Sequence, residues 1–337
     1  MRIAPDPPDP LEITGEMLSF ASPAFTESRY FTLRPLAAGV WAALAVPGSG
    51  AGGNAGIVDL GGHTLVFDTF ATPAAGTDLH AIAEGLTGQP ATWVVNSHHH
   101  IDHVLGNQAF PQAQIVATAR THELIVTRGA ALIEQANAHP EILDSLRAAL
   151  AAEPDANRRQ ELVTNLAEYS ALDAALPTLQ LHPPNMTFAG RLVFHGSRRR
   201  AELLTYGGGH SESDAFLYLP QERIGFLGDL VQVDVHPPLA QGDPAGWDRV
   251  LEQIGALELE TVVPGHGPLG DGWAIMRMRQ YITDLQNLVL AVRAADGDVA
   301  AVAALPLPAP YAAWAAPSVF TANLRFLFDR LAAAPGP

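Results

Sequence analysis

Four of the chain's 13 histidines fall within the six positions 98–103, in the stretch VVNSHHHIDHVLGN. His98, His100 and Asp102 are two residues apart, so in extended backbone their side chains point to one side, while His103 can turn to the other. Imidazoles this close repel one another when they are protonated, and a divalent cation is the usual reason for gathering them. The cluster therefore predicts a metal site, with room for two neighbouring cations.

Three more candidate ligands stand where apolar, strand-like runs end. His210 lies in YGGGHSESD, Asp229 in IGFLGDLV and His266 in VVPGHGPL. A carboxylate at the end of a buried strand is costly unless it is paired, and a metal would pair it. Each residue alone is ordinary for a loop or a strand end. Their common position, together with the histidine cluster, favours a shared metal site over a chance surface cluster.

Composition limits the chemistry and the partners. The chain has no cysteine, so it has no disulfides, and any metal must be held by nitrogen and oxygen, which suit zinc, iron and manganese. The net charge is -16 and no lysine is present, which disfavours nucleic acid and anionic membranes as partners. The basic run SRRR at 197–200 is interpreted as a solvated turn. Without an apolar signal segment or membrane-length run, the sequence predicts a soluble cytoplasmic protein.

The elements that must position these residues follow from hydrophobic patterns. The apolar runs GVWAALAV and NAGIVDLGGHTLVFDT, with Gly61-Gly62 inside the second, predict meandering strands and a tight hairpin. From about residue 74, strand patterns alternate with helical ones, including a helix from about Val104. Such alternation predicts an α/β fold in which helices cover the sheet.

Three segments fall outside this rhythm. Residues 1–30 are rich in proline and predict a loose or surface-packed arm. Leucines at helical spacing predict two helices over about 140–178, and we favour an insertion packed on the domain or on a partner subunit over a moving lid. Helical patterns dominate 273–337 and predict an extension packed on the same domain, which itself would span 31–272.

On these motifs, the chain resembles the metallo-beta-lactamase fold superfamily. His98-x-His100-x-Asp102-His103 fits that family's H-x-H-x-D-H signature, and Asp68 in LVFDTF and the three later candidates fall in the family's order. The resemblance covers about residues 30–270. It implies an α/β, four-layer αββα sandwich with two metals at one edge between the sheets.

The resemblance also implies a role for each candidate. The first metal would be held by His98, His100 and His210, and the second by Asp102, His103 and His266. Asp229 would bridge the two metals, and Asp68 would orient the histidine loop. His99 stands where the family varies and is not expected to be a ligand.

The implied activity is hydrolysis. Two cations about 3.5 to 4 Å apart can share a hydroxide, because zinc lowers the pKa of bound water to about 7, and Asp102 could transfer a proton. The chain lacks the cysteine and lysine that many true beta-lactamases use, so we expect a small-molecule acyl substrate: a carboxylic ester, thioester or lactone.

Other interpretations stay open at this point. A mononuclear iron oxygenase resembling the persulfide dioxygenases and a beta-lactam hydrolase are the alternatives. Two divalent ions, with zinc favoured over iron or manganese, are expected as cofactors, and a homodimer is left open. His236, in a loop after Asp229, is interpreted as an ordinary loop histidine in preference to a substrate contact.

Overall fold

The computed structural model describes residues 27–138 and 141–333 of the chain. The first half contains β1 (Phe31–Ala37), β2 (Val40–Ala45), β3 (Ala55–Asp59), β4 (Thr64–Phe67), α1 (Pro73–Thr87), β5 (Ala91–Val95), α2 (Ile101–Val104), β6 (Gln114–Thr118), α3 (Ala119–Leu124), α4 (Ala130–Ala138), α5 (Glu141–Ala152) and α6 (Ala156–Ala175). The second half contains β7 (Met186–Phe188), β8 (Arg191–His195), β9 (Arg200–Gly207), β10 (Asp214–Leu219), β11 (Ile224–Gln232), α7 (Pro244–Gly255), β12 (Thr261–His266), α8 (Gly272–Ala294), α9 (Val299–Ala303) and α10 (Pro317–Ala333).

Within these described ranges the strands form two sheets. One has seven strands in the order β1-β2-β3-β4-β5-β6-β7, and the other has five in the order β12-β11-β10-β9-β8. β1 to β4 meander in antiparallel pairs, whereas β4, β5, β6 and β7 are parallel. β11 and β12 are also parallel. The carboxyl ends of the parallel strands in both sheets are therefore the places where ligand residues can meet.

The two sheets pack face to face and carry helices on their outer faces. Apolar side chains from both inner faces form one core, which includes Val58 and Phe67 from the first sheet and Leu217 and Phe226 from the second. A second core packs α1 on the first sheet, and a third packs α7, α8 and α10 on the other. The predicted four-layer αββα sandwich and the helical C-terminal extension are thereby confirmed.

Most of the predicted elements are present, including the hairpin at Gly61-Gly62, which joins β3 to β4. The helix expected from about Val104 is wrong in its position. α2 begins at Ile101 and ends at Val104, and a 3-10 turn follows over Leu105–Ala109. The short strand β7 was not predicted, because its three residues form no apolar run in the sequence.

The helices expected over about 140–178 are α5 and α6. None of the described side chains of α5 is buried, whereas α6 buries Glu161 and Leu162 against the domain. The predicted arm at 1–30 lies outside the described residues, except for its last four positions. Of the helices in the described ranges, none has both the length and the apolar character needed to cross a membrane.

Candidate metal centre

Seven of the predicted site residues meet at one edge of the sandwich, between the two sheets. β5 ends at Val95 and leads into the histidine stretch, β11 contains Asp229, and β12 ends at His266. Their side chains form two groups, and the ligand atoms of each group lie within 4.8 Å of one another. The first group is His98, His100, His210 and Asp229, and the second is Asp102, His103 and His266.

In the first group, three ring nitrogens converge on one point. His98 Nε2 and His210 Nε2 each lie 2.9 Å from His100 Nδ1. The opposite nitrogen of His100 donates to Gln241 Oε1 at 2.8 Å, so the neutral ring carries its lone pair on Nδ1. Three nitrogens that converge in this way are able to hold a cation.

Asp68 and Ser97 set the tautomers of two histidines. The Ser97 hydroxyl donates to Asp68 Oδ2 at 2.7 Å, so it can only accept from His98 Nδ1, which lies 2.9 Å away. His103 Nδ1 donates to the same Asp68 oxygen at 2.9 Å. Both neutral rings therefore carry their lone pairs on Nε2, the atoms that face into the two groups. Asp68 has the orienting position expected of it.

The second group is more open than the first. His266 Nε2 lies 3.2 Å and His103 Nε2 lies 3.6 Å from Asp102 Oδ2. The Asp102 side chain keeps 29% of its surface exposed and that of His266 keeps 24%, whereas His103 is fully buried. An incoming molecule would therefore meet this group first.

The side chain of Asp102 points in a direction that the sequence pattern did not predict. Its side chain was expected to point the same way as His98 and His100 in extended backbone. That expectation is wrong, because the backbone turns into α2 directly after His100. The turn moves Asp102 beside His103, in the group that the family resemblance implied.

Asp229 lies between the two groups. Its Oδ1 is 3.2 Å from His103 Nε2 and 3.4 Å from His266 Nε2, and its Oδ2 is 3.3 Å from His210 Nε2. Gln232 Nε2 donates to Oδ2 at 3.0 Å. One carboxylate thus presents an oxygen to each group.

Two buried atoms test whether these residues fit metal ions. Among the described residues, His103 Nε2 and Asp229 Oδ1 have no hydrogen-bond partner. Burial lowers the pKa of His103, but the charges of Asp102, Asp229 and Asp68 outweigh it and raise the pKa well above 6.5, so without a metal a proton lies between these two atoms. A cation between them would satisfy both, so the donor set fits a divalent metal.

Burial and neighbouring charges shift the pKa values of these histidines in opposite directions. Burial lowers the pKa of His98 well below 6.5 and, against the opposing charge of Asp229, that of His210 to about 3. Burial acts in the same direction on His266, but Asp229 and Asp102 outweigh it and raise the pKa to about 10. His98 and His210 are therefore already in the neutral, metal-binding form, whereas a proton competes with a cation at His266.

Residues 48–266 match the sequence model of the metallo-beta-lactamase superfamily. The chain belongs to this superfamily.

Solved metallo-beta-lactamases share the fold. That from Pontibacter korlensis is 19% identical with a TM-score of 0.55, and the match covers 75% of this chain and 99% of that one. The FIM-1 enzyme from Pseudomonas aeruginosa, solved in a mono-zinc form, is 17% identical with a TM-score of 0.56, covering 77% and 98%. The Hirschia baltica protein is 18% identical with a TM-score of 0.54, covering 75% and 97%. A comparison with curated proteins finds no match.

In this metallo-beta-lactamase superfamily member, a cavity of about 600 Å³ opens beside the second group. Its walls are mostly apolar beyond the site, with contributions from Ile101, Ala131, Leu132, Val235, Pro238, Ala316 and Val319. Arg128 also lines it and is ion-paired with Glu212. His99 lines the cavity without joining either group.

His236 also reaches the cavity wall, but its ring packs among aromatic side chains. Tyr281, Trp314 and Phe320 surround it, and its Nδ1 lies 3.0 Å from the Tyr281 hydroxyl. These contacts favour the interpretation of His236 as a structural histidine.

Sequence reasoning missed three residues that support the site. Ser97 precedes the histidine stretch directly, and its position beside His98 was a signal that could have been used. Gln241 and Gln232 lie in or next to the loop after β11, and no spacing in the sequence links Gln241 to His100. Only the folded structure brings them together.

Proposed function

We propose that the protein is a metal-dependent hydrolase that cleaves a small carboxylic ester, thioester or lactone at a two-cation centre, with zinc as the favoured metal. The observation that carries the proposal is the position of Asp229. Its two oxygens face different groups at 3.2 to 3.4 Å from their ring nitrogens. With a single cation, one of the two groups of ligand residues would hold no metal.

In this proposal His98, His100 and His210 would hold the first cation, Asp102, His103 and His266 would hold the second, and Asp229 would contribute an oxygen to each. Asp68 fixes the tautomers of His98 and His103 from behind. When bound, the cations supply an activated water and polarise the acyl carbonyl.

Asp102 is the residue that we propose for proton transfer. Burial would raise its pKa, but the His103 imidazole and the hydrogen bond with His266 hold the pKa well below 3.8. The carboxylate is therefore ionised at neutral pH, and it is exposed on the cavity side. It is placed to accept a proton from the attacking water and to pass one to the leaving group.

The cavity supports the choice of substrate. Its volume of about 600 Å³ suits a small molecule, and its apolar walls favour a substrate with an apolar acyl group. We further propose a cytoplasmic location and a small-molecule partner, in keeping with the charge of -16.

Beta-lactam hydrolysis is the second candidate, because the fold is shared with solved metallo-beta-lactamases. The absence of lysine and cysteine from the chain weighs against it. An iron oxygenase needs one cation only and would not use the second group.

The proposal is tested by assaying tag-free protein stripped with a chelator and then reloaded with zinc. The substrates are a series of aliphatic esters, thioesters and lactones of increasing chain length, a beta-lactam and a persulfide. We expect acyl hydrolysis to disappear on stripping and to return with two equivalents of zinc. Val319→Phe should narrow the cavity and raise KM for long acyl chains more than for short ones. Persulfide oxidation by iron-loaded protein, without acyl hydrolysis, would refute the proposal.

A further inference from the structure

One face of α6 contacts two separate parts of the site. Glu161 and Glu168 are seven residues apart and so lie on the same side of the helix. Glu168 accepts hydrogen bonds from the backbone N–H groups of Gly48 at 2.7 Å and Gly50 at 2.9 Å. Two turns earlier, Glu161 accepts from the backbone N–H of Ser318 at 3.2 Å and from its hydroxyl.

The loop held by Glu168 touches the second group of ligands. We call residues 46–54, between β2 and β3, the site loop. A side chain on Gly52 would place its Cβ 2.6 Å from the Cβ of Asp102, and one on Gly53 would place it 2.4 Å from His103 Cε1. The backbone of the site loop therefore lies directly against both ligands.

The same loop is also tied to the strand that carries His266. The Asn54 N–H donates to the Gly265 carbonyl at 2.7 Å, and the Asn54 amide donates to the Pro264 carbonyl at 2.9 Å. Gly53 N–H donates to the Asp102 carbonyl at 3.4 Å. A displacement of the site loop would thus reach all three members of the second group.

The contact at Glu161 reaches the cavity wall. Ser318 lies in the first turn of α10, and its neighbours Ala316 and Val319 line the cavity. Glu161 is buried and also pairs with Arg158 at 2.6 Å. The start of α10 is therefore fixed by a buried carboxylate from α6.

We propose that α6 positions both parts of the site: Glu168 holds the site loop against Asp102 and His103, and Glu161 holds the cavity wall at Ser318. This inference rests on the proposed function for the identity of the ligands. Glu168 and Glu161 are positioning residues, since neither belongs to the two ligand groups.

The chemistry of the contacts supports this role. A hydrogen bond to a carboxylate is roughly twice as strong as one between neutral groups. The site loop has glycine at 48, 50, 52 and 53, so it has many conformations to lose and needs such anchors. The pKa of Glu168 is raised above its usual value, chiefly by burial, while the two amides lower it. The charge of Asp102 raises this pKa further, and that of His266 lowers it. Glu168 is therefore within electrostatic range of the second group.

The experiment compares Glu168→Gln and Glu161→Gln with Asp173→Asn, an exposed carboxylate on the same helix. Amide hydrogen exchange of the site loop is measured in metal-free protein. Stepwise zinc affinities are measured by competition with a chromophoric chelator, and Asp102→Ala identifies the binding step of the second group. KM and kcat are measured with the best ester or lactone.

We expect Glu168→Gln to speed exchange at Gly48 and Gly50 and to weaken zinc binding at the second group by about tenfold, the lower range for residues that support a ligand. The first zinc affinity should stay unchanged. Glu161→Gln should raise KM severalfold at unchanged zinc affinities, and Asp173→Asn should match the wild type.

Exchange and zinc affinities of Glu168→Gln equal to those of Asp173→Asn would overturn the inference. So would an equal loss at both zinc sites together with a lower Tm, which would indicate a general effect on stability. If the wild type binds no zinc or hydrolyses no acyl substrate, the proposed function fails, while the exchange measurement still decides whether Glu168 holds the site loop.

Discussion

Asp68 determines, directly or through Ser97, which ring nitrogens of two histidines face the metal groups. It is fully buried, and its φ of 56° puts a non-glycine residue in the left-handed region, where backbone strain is paid for by the surrounding structure. Its two oxygens accept from the Ser97 backbone N–H, the Ser97 hydroxyl and His103 Nδ1. This position fixes the tautomer of His98 through Ser97 and the ring orientation of His103.

Replacing Asp102 and replacing His99 should have very different effects. Asp102→Ala removes a proposed ligand and proton acceptor, and we expect kcat to fall by at least about 100-fold, as for loss of a general base. His99→Ala removes a cavity side chain that belongs to neither group, so we expect less than about a fivefold change. Zinc content and steady-state kinetics of the two variants test this. Equal losses would show that the assignment of ligands is wrong.

His236 should make stability depend on pH. Burial lowers its pKa to about 4, whereas in the unfolded chain the pKa is near 6.5. Between these values the unfolded state binds a proton that the folded state excludes, so stability is complete above about pH 6.5 and falls as the pH approaches 4.

The measurement is urea unfolding of the wild type and of His236→Gln at pH 7 and pH 5. We expect the wild type to lose about 1 to 2 kcal/mol more than the variant between these two values. An identical loss of unfolding free energy in both proteins would mean that the pKa of His236 is not lowered in the folded state.

The strands and the ligands at their ends were predictable from the sequence, because apolar runs mark buried strands and polar residues after them mark sheet edges. His210 and His266 could be located in this way. Asp68 was located only by the family resemblance, and the expectation that Asp229 ends its strand is wrong, because β11 continues to Gln232. The turn into α2 at Ile101 could not, because four helical residues leave no periodic pattern.

Partners from distant segments were also beyond prediction. Glu168 meets Gly48 across 120 positions and Gln241 meets His100 across 141. Neither contact has a local signal, and the acidic face of α6 resembles that of any exposed helix. The residues that sequence reasoning missed are therefore mainly those that contact the ligands or their loops only in the folded chain.

The close approach of the site loop to the second group predicts different results for two glycines. Gly52 and Gly62 have φ of 75° and 91°, so alanine at either position carries the same kind of backbone strain, on the order of 1 to 2 kcal/mol. At Gly52 the added Cβ would also meet Asp102 at 2.6 Å, whereas at Gly62 no atom lies within 4 Å.

We expect Gly52→Ala to lower zinc content and kcat strongly, and Gly62→Ala to lower Tm only. Elemental analysis, kinetics and thermal unfolding of both variants separate the contact from the strain. If Gly62→Ala lost as much zinc as Gly52→Ala, strain alone would account for the effect.

The C-terminal helices share a core with the second sheet, which bears on how the chain folds. Leu324 of α10 is fully buried in the same apolar cluster as Leu227 of β11 and Trp247 of α7. The division into 31–272 and 273–337 stays a prediction about sequence organisation, while this packing favours one cooperative unit.

Leu324→Ala tests that cooperativity. Removing a fully buried leucine side chain should cost about 2 to 5 kcal/mol, and we expect one unfolding transition that is shifted to lower temperature by calorimetry and by circular dichroism alike. A separate early transition that leaves zinc binding intact would show that the extension unfolds by itself.

The metal content of the chain tests the two-cation centre most directly. Tag-free protein, purified without added metal, is analysed for all transition elements per chain, with Asp229→Asn in parallel. We predict close to two zinc ions in the wild type and a loss of zinc in the variant, because Asp229→Asn weakens zinc binding by both groups, which share this carboxylate. A single iron per chain, with full retention in Asp229→Asn, would contradict the two-cation hydrolase.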